Sequence, residues 1–155
     1  MTAPVTVRLF EDVHVQEWSL EVPGEPVAKG RPRFAVVAGH ARAYTPKKTA
    51  KYEDTIKWFA RKEWRGDPLV GIPLEALITA YRPIPSSLSK ARRAAALAGQ
   101  LAPISRPDFD NYAKIVCDAL NGIVFADDAA ITDCTTLKRY SDRPRIAIRL
   151  RWRDQ

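Results

Sequence analysis

The sequence predicts an α/β (α+β) protein folded as a single domain over residues 1–155, and three observations carry that expectation. Residues 74–81 alternate apolar and polar in the manner of a strand, and other stretches place apolar residues at helical spacing. The 155 residues, 46% hydrophobic and 28% charged, also suffice for one ordinary globular core. No repeat, low-complexity run or linker divides the chain.

Residues 1–16 alternate loosely and suit an arm or an edge strand, while "WSLEVPGEPV", residues 18–27, reads as a strand broken by Pro23 and Gly24. In "AKGRPRFAVVAGHARAYTP" β-favouring residues flank Gly39 and His40, so residues 34–37 and 42–44 form a hairpin with a basic leading edge. Thr45 before Pro46 signals a helix start, a hydroxyl cap followed by a proline whose missing N–H is not needed there. That helix runs to about Trp64. Tyr52, Ile56, Phe59 and Ala60 share one of its faces; Lys47, Lys51, Trp58, Arg61, Lys62 and Arg65 gather on another, which suits a phosphate backbone or plain solvent equally.

The strand at 74–81 turns Leu74, Ala76, Ile78 and Ala80 to one side. Ser86 and Ser87 then cap an alanine-rich helix through Leu97, ended by Gly99. A third helix runs from about Asp110 to Leu120 and stops at Asn121 and Gly122; residues 130–140 and 145–152 are two strands joined by the turn "SDRP".

The charge narrows the partners. Against 18 Asp and Glu stand 25 Lys and Arg, a formal +7, which by itself suits a polyanionic partner, nucleic acid first, and a merely solvated basic surface equally. Cys117, Cys134, His14 and His40 have no zinc-ligand spacing. No apolar run approaches the ~20 residues of a membrane span, and the first residues carry acids where a signal peptide needs its apolar stretch. A cytoplasmic protein with reduced thiols and no membrane partner is expected.

The segment "RPDFDNYAKIVCDAL" holds the chemistry. Tyr112, Ile115, Val116, Ala119 and Leu120 form the apolar stripe of a helix packed on a core, while Asp110, Lys114, Asp118 and Asn121 point the opposite way, with Asp108 at the entrance. These polar residues would serve a purely structural helix too: Asp108 as N-cap, Asp110 and Lys114 as an i, i+4 pair, Asp118 as a second neighbour of the lysine. "VFADDAAITD" shifts the balance, because Asp127 and Asp128 follow the helix stop closely enough to fold back beside Asp108 and Asp110. Converging carboxylates repel, and a hard divalent ion removes the conflict. Mg²⁺ suits Asp108, Asp110 and one of the later pair without His or Cys, with Mn²⁺ as an alternative cation. An EF-hand does not fit, since Tyr112 and Ala113 stand where a ligand and a glycine belong. In a basic protein such a metal serves phosphodiester hydrolysis, and Lys114 would neutralise charge on the phosphate or orient the attacking water.

"RPDFDNYAKIVCDALNGIVFADD" resembles the signature of the RusA family of Holliday-junction resolvases, and "GEPVAKGRPRF" and "LKRYSDRPRIAI" resemble its flanking blocks, over roughly residues 20–150. The resemblance implies a small mixed sheet with flanking helices in a homodimer that binds four-way DNA junctions, nicking paired strands symmetrically with Mg²⁺ in recombination and repair. Carried over by position, the metal-binding acids fall on Asp108 and Asp110, the catalytic lysine on Lys114, and the later acid on the Asp127–Asp128 pair, with Asp128 preferred and Asp118 structural. Phosphate contacts fall on Lys29, Arg31, Arg33, Lys138 and Arg139. The dimer surface is not legible, the apolar strand 74–81 being one candidate. Two other readings compete: a basic nucleic-acid-binding module whose acids only brace a helix, and a nuclease acting on flaps or forks.

Overall fold

The computed structural model describes residues 14–153, so the expected arm lies, save for residues 14–16, outside the described residues. Along the chain come β1 (Val15–Pro23), β2 (Arg33–Val37), β3 (His40–Tyr44), α1 (Lys47–Glu63), β4 (Leu74–Pro83), α2 (Lys90–Leu97), α3 (Phe109–Leu120), a short 3₁₀ turn (Asp128–Ala130), β5 (Ile131–Ser141) and β6 (Arg145–Arg153). Four strands form a mixed sheet in the order β1-β6-β4-β5, with β4 and β5 parallel and the other pairs antiparallel. Among the described residues the hairpin β2–β3 pairs only with itself.

Alternation dictates which side of the sheet is buried. Leu20 and Val22 of β1, Leu74, Ala76, Ile78 and Ala80 of β4, and Ile146, Ile148 and Leu150 of β6 turn inward. Against them lie Tyr52, Ile56 and Ala60 from α1 and the full expected stripe of α3, Tyr112, Ile115, Val116, Ala119 and Leu120, making one contiguous core. Trp64, just past α1, meets Trp18 and Trp152 edge-on or tilted at 5.6 and 6.0 Å and pins that helix end to the sheet.

Several local expectations are corrected. The helix α1 begins one residue late, with Pro46 at the cap position and no side-chain cap bond, so Thr45 is not its cap. Ser89, not Ser86 or Ser87, caps α2, its hydroxyl accepting from the Arg92 N–H at 3.3 Å. The strands β5 and β6 both form and are joined by the turn as expected, and β4 lies between them in the sheet. That central place also withdraws β4 as a pairing surface: both its edges are taken, and its most apolar side faces the helices.

Candidate active site

The helix α3 positions the expected residues because its apolar stripe fixes its rotation on the sheet, leaving Asp110, Lys114 and Asp118 on the other side. Its approach is held from two strands. From β5, the Lys138 ammonium donates to the carbonyls of Ser105 and Pro107 at 2.8 and 2.9 Å; from β4, Arg82 reaches the Ser105 carbonyl and hydroxyl at 3.3 and 3.1 Å. The Arg106–Pro107 peptide between these anchors is cis.

Residues 28–31 run alongside, tied down where the Lys29 N–H donates to the Asn111 carbonyl at 2.9 Å. Between that segment and the start of α3 opens a cleft of about 420 Å³ lined by Lys29, Gly30, Arg31, Arg106, Asp108 and Asn111. An acid at the mouth of a helix thus faces a basic wall.

The charges divide into two classes. Lys57, Glu53, Lys29, Asp118 and Lys114 form one alternating chain of ion pairs, with N–O distances of 3.1, 2.8, 2.9 and 2.8 Å in that order. Partial burial pushes the Lys29 pKa down, but the hydrogen bonds and charges of Glu53 and Asp118 outweigh it and leave it above its ordinary value. Burial likewise raises the carboxyls of Glu53 and Asp118, and their lysine partners more than reverse it, holding both below the usual carboxylate range. The bond from Asp118 raises Lys114, and the charge of Asp128 adds to it, so Lys114 is a fixed cation at neutral pH and not a base.

Asp108, Asp110 and Asp128 belong to the second class, outside every ion pair of the described residues. Asp108 holds the N-cap position of α3 without its carboxylate accepting a cap bond, and Asp110 is exposed in the first turn. The expected Asp110–Lys114 pair is absent, Lys114 having turned to Asp118. In the later doublet the two acids differ: the Asp127 carboxylate accepts from the Ala129 N–H at 2.9 Å and caps the 3₁₀ turn, whereas Asp128 makes no such bond and acts on Lys114 through its charge.

The expected convergence of four carboxylates is not assembled, for no three carboxylate, imidazole or thiol groups among the described residues stand together as a metal cage. Part of the reason is that Asp127 is engaged with its own backbone. The donor set nonetheless fits a hard cation: Mg²⁺ takes oxygen ligands, needs only one or two protein carboxylates, and completes its shell with water and substrate phosphate.

The basic residues separate similarly. Arg31 and Arg33 are exposed and free to meet a phosphate. Arg139 is exposed, with its guanidinium on the neighbouring Lys138 carbonyl at 2.9 Å. Lys29 and Lys138 point inward instead, one into the ion-pair chain and the other onto the approach to α3, so both brace the cleft. Sequence reasoning assigned no role to three residues now beside the acids: Arg106 and Asn111 on the cleft wall, and Phe109, 62% exposed between Asp108 and Asp110. Their adjacency to the acids was the only signal.

The family described as endodeoxyribonuclease RusA matches residues 23–151. The chain belongs to the RusA family. It is also similar to the uncharacterized protein YqaN of Bacillus subtilis (strain 168), 36% identical over 132 residues that cover 84% of this chain and 92% of that protein. In this RusA-family chain the matched region runs from the end of β1 into β6 and contains every candidate site residue. Membership implies nuclease activity on DNA junctions at the level of the family. No described helix is long and apolar enough to cross a membrane.

Proposed function

We propose that this protein is a Mg²⁺-dependent, structure-selective endodeoxyribonuclease that resolves four-way junctions by paired symmetric nicks, acting as a cytoplasmic homodimer of single-domain subunits in recombination and repair. The observation that supports the reading is the division of the carboxylates: Asp118 is neutralised by two lysines, while Asp108, on the wall of a basic cleft, Asp110 in the next turn and Asp128, whose charge acts on Lys114, are in no ion pair among the described residues. Acids that no cation of the fold neutralises are available to a bound metal, which would draw them together.

Asp108, Asp110 and Asp128 would hold Mg²⁺, or Mn²⁺ in its place. Bound there, the cation would supply an activated water and draw negative charge from the phosphate. Lys114 offers a fixed positive charge toward the same place, its ammonium steered by Asp118, and so stabilises charge developing on the phosphate. Arg31, Arg33 and Arg139 contribute backbone contacts that position a strand without reading its sequence. Lys29 and Lys138 act at one remove, keeping residues 28–31 and 105–107 at the spacing the cleft needs. Two nicks in a junction of near two-fold symmetry call for two such sites, which a symmetric dimer provides.

The test incubates purified protein with a synthetic four-way junction, a nicked duplex and a linear duplex, with Mg²⁺ and then EDTA. Paired nicks in the junction alone, abolished by EDTA, are expected. The Asp110→Asn protein should lose about a thousandfold or more in cleavage while binding the junction as well as or better than the wild type, because a repulsive charge is gone. Cleavage without a divalent ion, or binding lost together with cutting, contradicts the assignment; preferential cutting of flaps or forks moves the substrate and keeps the chemistry.

A further inference from the structure

Beside the acidic cleft lies a second cavity of about 420 Å³, and the two share Ala28, Gly30 and Pro107 as a common wall. The second cavity presents three cations, Arg33, Lys48 and Arg82, against one carboxylate, Glu25, a formal balance of 3 − 1 = +2. It also takes in the start of α1, through Pro46 at the cap position and Lys48 and Thr49 in the first turn. That helix is 17 residues long, with no side-chain cap and no acid in its first turn, so its N-terminal amides and dipole meet no compensating group of the helix's own. Anions settle at such helix starts.

A bare helix start is common, and here a second feature points to a ligand. Tyr112 is fully buried, lines this cavity, and has a hydroxyl with no hydrogen-bond partner. Most buried hydroxyls in folded proteins are paired with protein, water or a bound group, so this one is available to a ligand that enters the cavity. Arg82, whose charge acts on that hydroxyl, is bonded through its guanidinium to Ser105, so the cavity connects mechanically to the approach of α3.

We propose that this cavity is a second phosphate site, which seats an internal phosphodiester of the DNA strand whose scissile phosphate lies at the Asp108 cleft. Lys48 and Arg33 supply charge, and the α1 amides and the Tyr112 hydroxyl supply hydrogen bonds. The identity of the ligand rests on the nuclease reading; the existence of an anion site does not. Since the cavities share a wall, a strand leaving one passes the other, and a second fixed phosphate sets the register of the bond to be cut.

The experiment measures binding of a four-way junction with hydroxyl ends, in EDTA and over a range of salt, by wild type, Lys48→Met and Tyr112→Phe, with a thermal melt of each protein. Lys48→Met should weaken binding about fivefold and flatten the salt dependence by about one phosphate contact. Tyr112→Phe should weaken binding about fivefold while melting at or above the wild-type temperature, because it deletes a hydroxyl unpaired in the free protein. A merely structural Tyr112 would leave binding unchanged. Two variants indistinguishable from wild type across the salt series, or effects that appear only with 5′-phosphorylated ends, overturn the proposal. If the wild type binds no DNA, the nuclease reading falls, and inorganic phosphate becomes the probe. A phosphate-dependent rise in melting temperature that Lys48→Met abolishes then sustains the anion site, and no rise removes it.

Discussion

Asp118 and Asp110 lie on one helix and carry one kind of side chain, and their surroundings give them opposite uses. Asp118 is about one-fifth exposed and held by Lys29 and Lys114. Its carboxyl and that of Glu53 sit below the usual range, so the stability they lend is complete above that range and fades as pH falls through their lowered values. Lys29 and Lys114 sit above their ordinary value, so their share is complete below it and is lost only as pH rises through the raised values. The ion-pair chain is therefore intact across neutral pH. Asp118→Asn should cost about 1–2 kcal/mol there, the worth of charged hydrogen bonds discounted for partial exposure. Melts at descending pH should show the gap between wild type and variant closing through the carboxylate range, and a gap constant with pH would exclude an electrostatic origin. At the same scale, burial pushes the Cys117 thiol up to about 12, the charges of Cys134, Asp128 and Asp118 adding to it, so the cysteine beneath the site is not a nucleophile.

Between elements, the contact that shapes both cavities is the approach of residues 28–31 to the start of α1. The Gly30 N–H donates to the Thr49 hydroxyl at 3.2 Å, and a Cβ at Gly30 would fall 2.9 Å from that oxygen and 3.2 Å from a ring carbon of Pro46. Thr49 is buried and Pro46 is rigid, so the segment itself must move. Gly30→Ala should lower stability by about 1–3 kcal/mol, measured by urea unfolding, and should reduce junction binding together with it. Elements of this size were largely legible in the sequence. The stripe of α3 and the alternation of β4 are periodic, and period survives any tertiary context. Caps were less legible: Ser86, Ser87 and Ser89 are chemically alike, and only backbone geometry selects Ser89. The pairing of β5 and β6 each with β4 was not legible either, since nothing local to the turn marks a strand from far away that comes between them.

In the molecule as a whole, the residue types of the site were readable and their directions were not. A lysine in a basic block reads as a phosphate contact, yet Lys29 and Lys138 are long enough to reach back into the fold and do so. Nothing local separates them from Arg31 and Arg33. The sheet carries the clearest dependence on distant parts of the chain. The strand β6 joins β1 on one side to β4 on the other, and among the described residues β1 has no other partner in the sheet. Deleting residues 145–153 should therefore abolish cooperative unfolding altogether, as followed by circular dichroism during a thermal melt, and a truncated protein that still melts sharply would refute this account of the topology.

The same insertion constrains how a newly made chain becomes a protein. When synthesis has reached residue 144, the segments that flank the gap are already outside the ribosome and each exposes an open edge that any other strand could pair with. The last described strand must enter between them and form contacts across more than a hundred residues of sequence, as Glu21 with Ala147 does. Acquisition of the native sheet therefore waits for β6 and is slow, and the nascent chain is most vulnerable to aggregation before that strand becomes available.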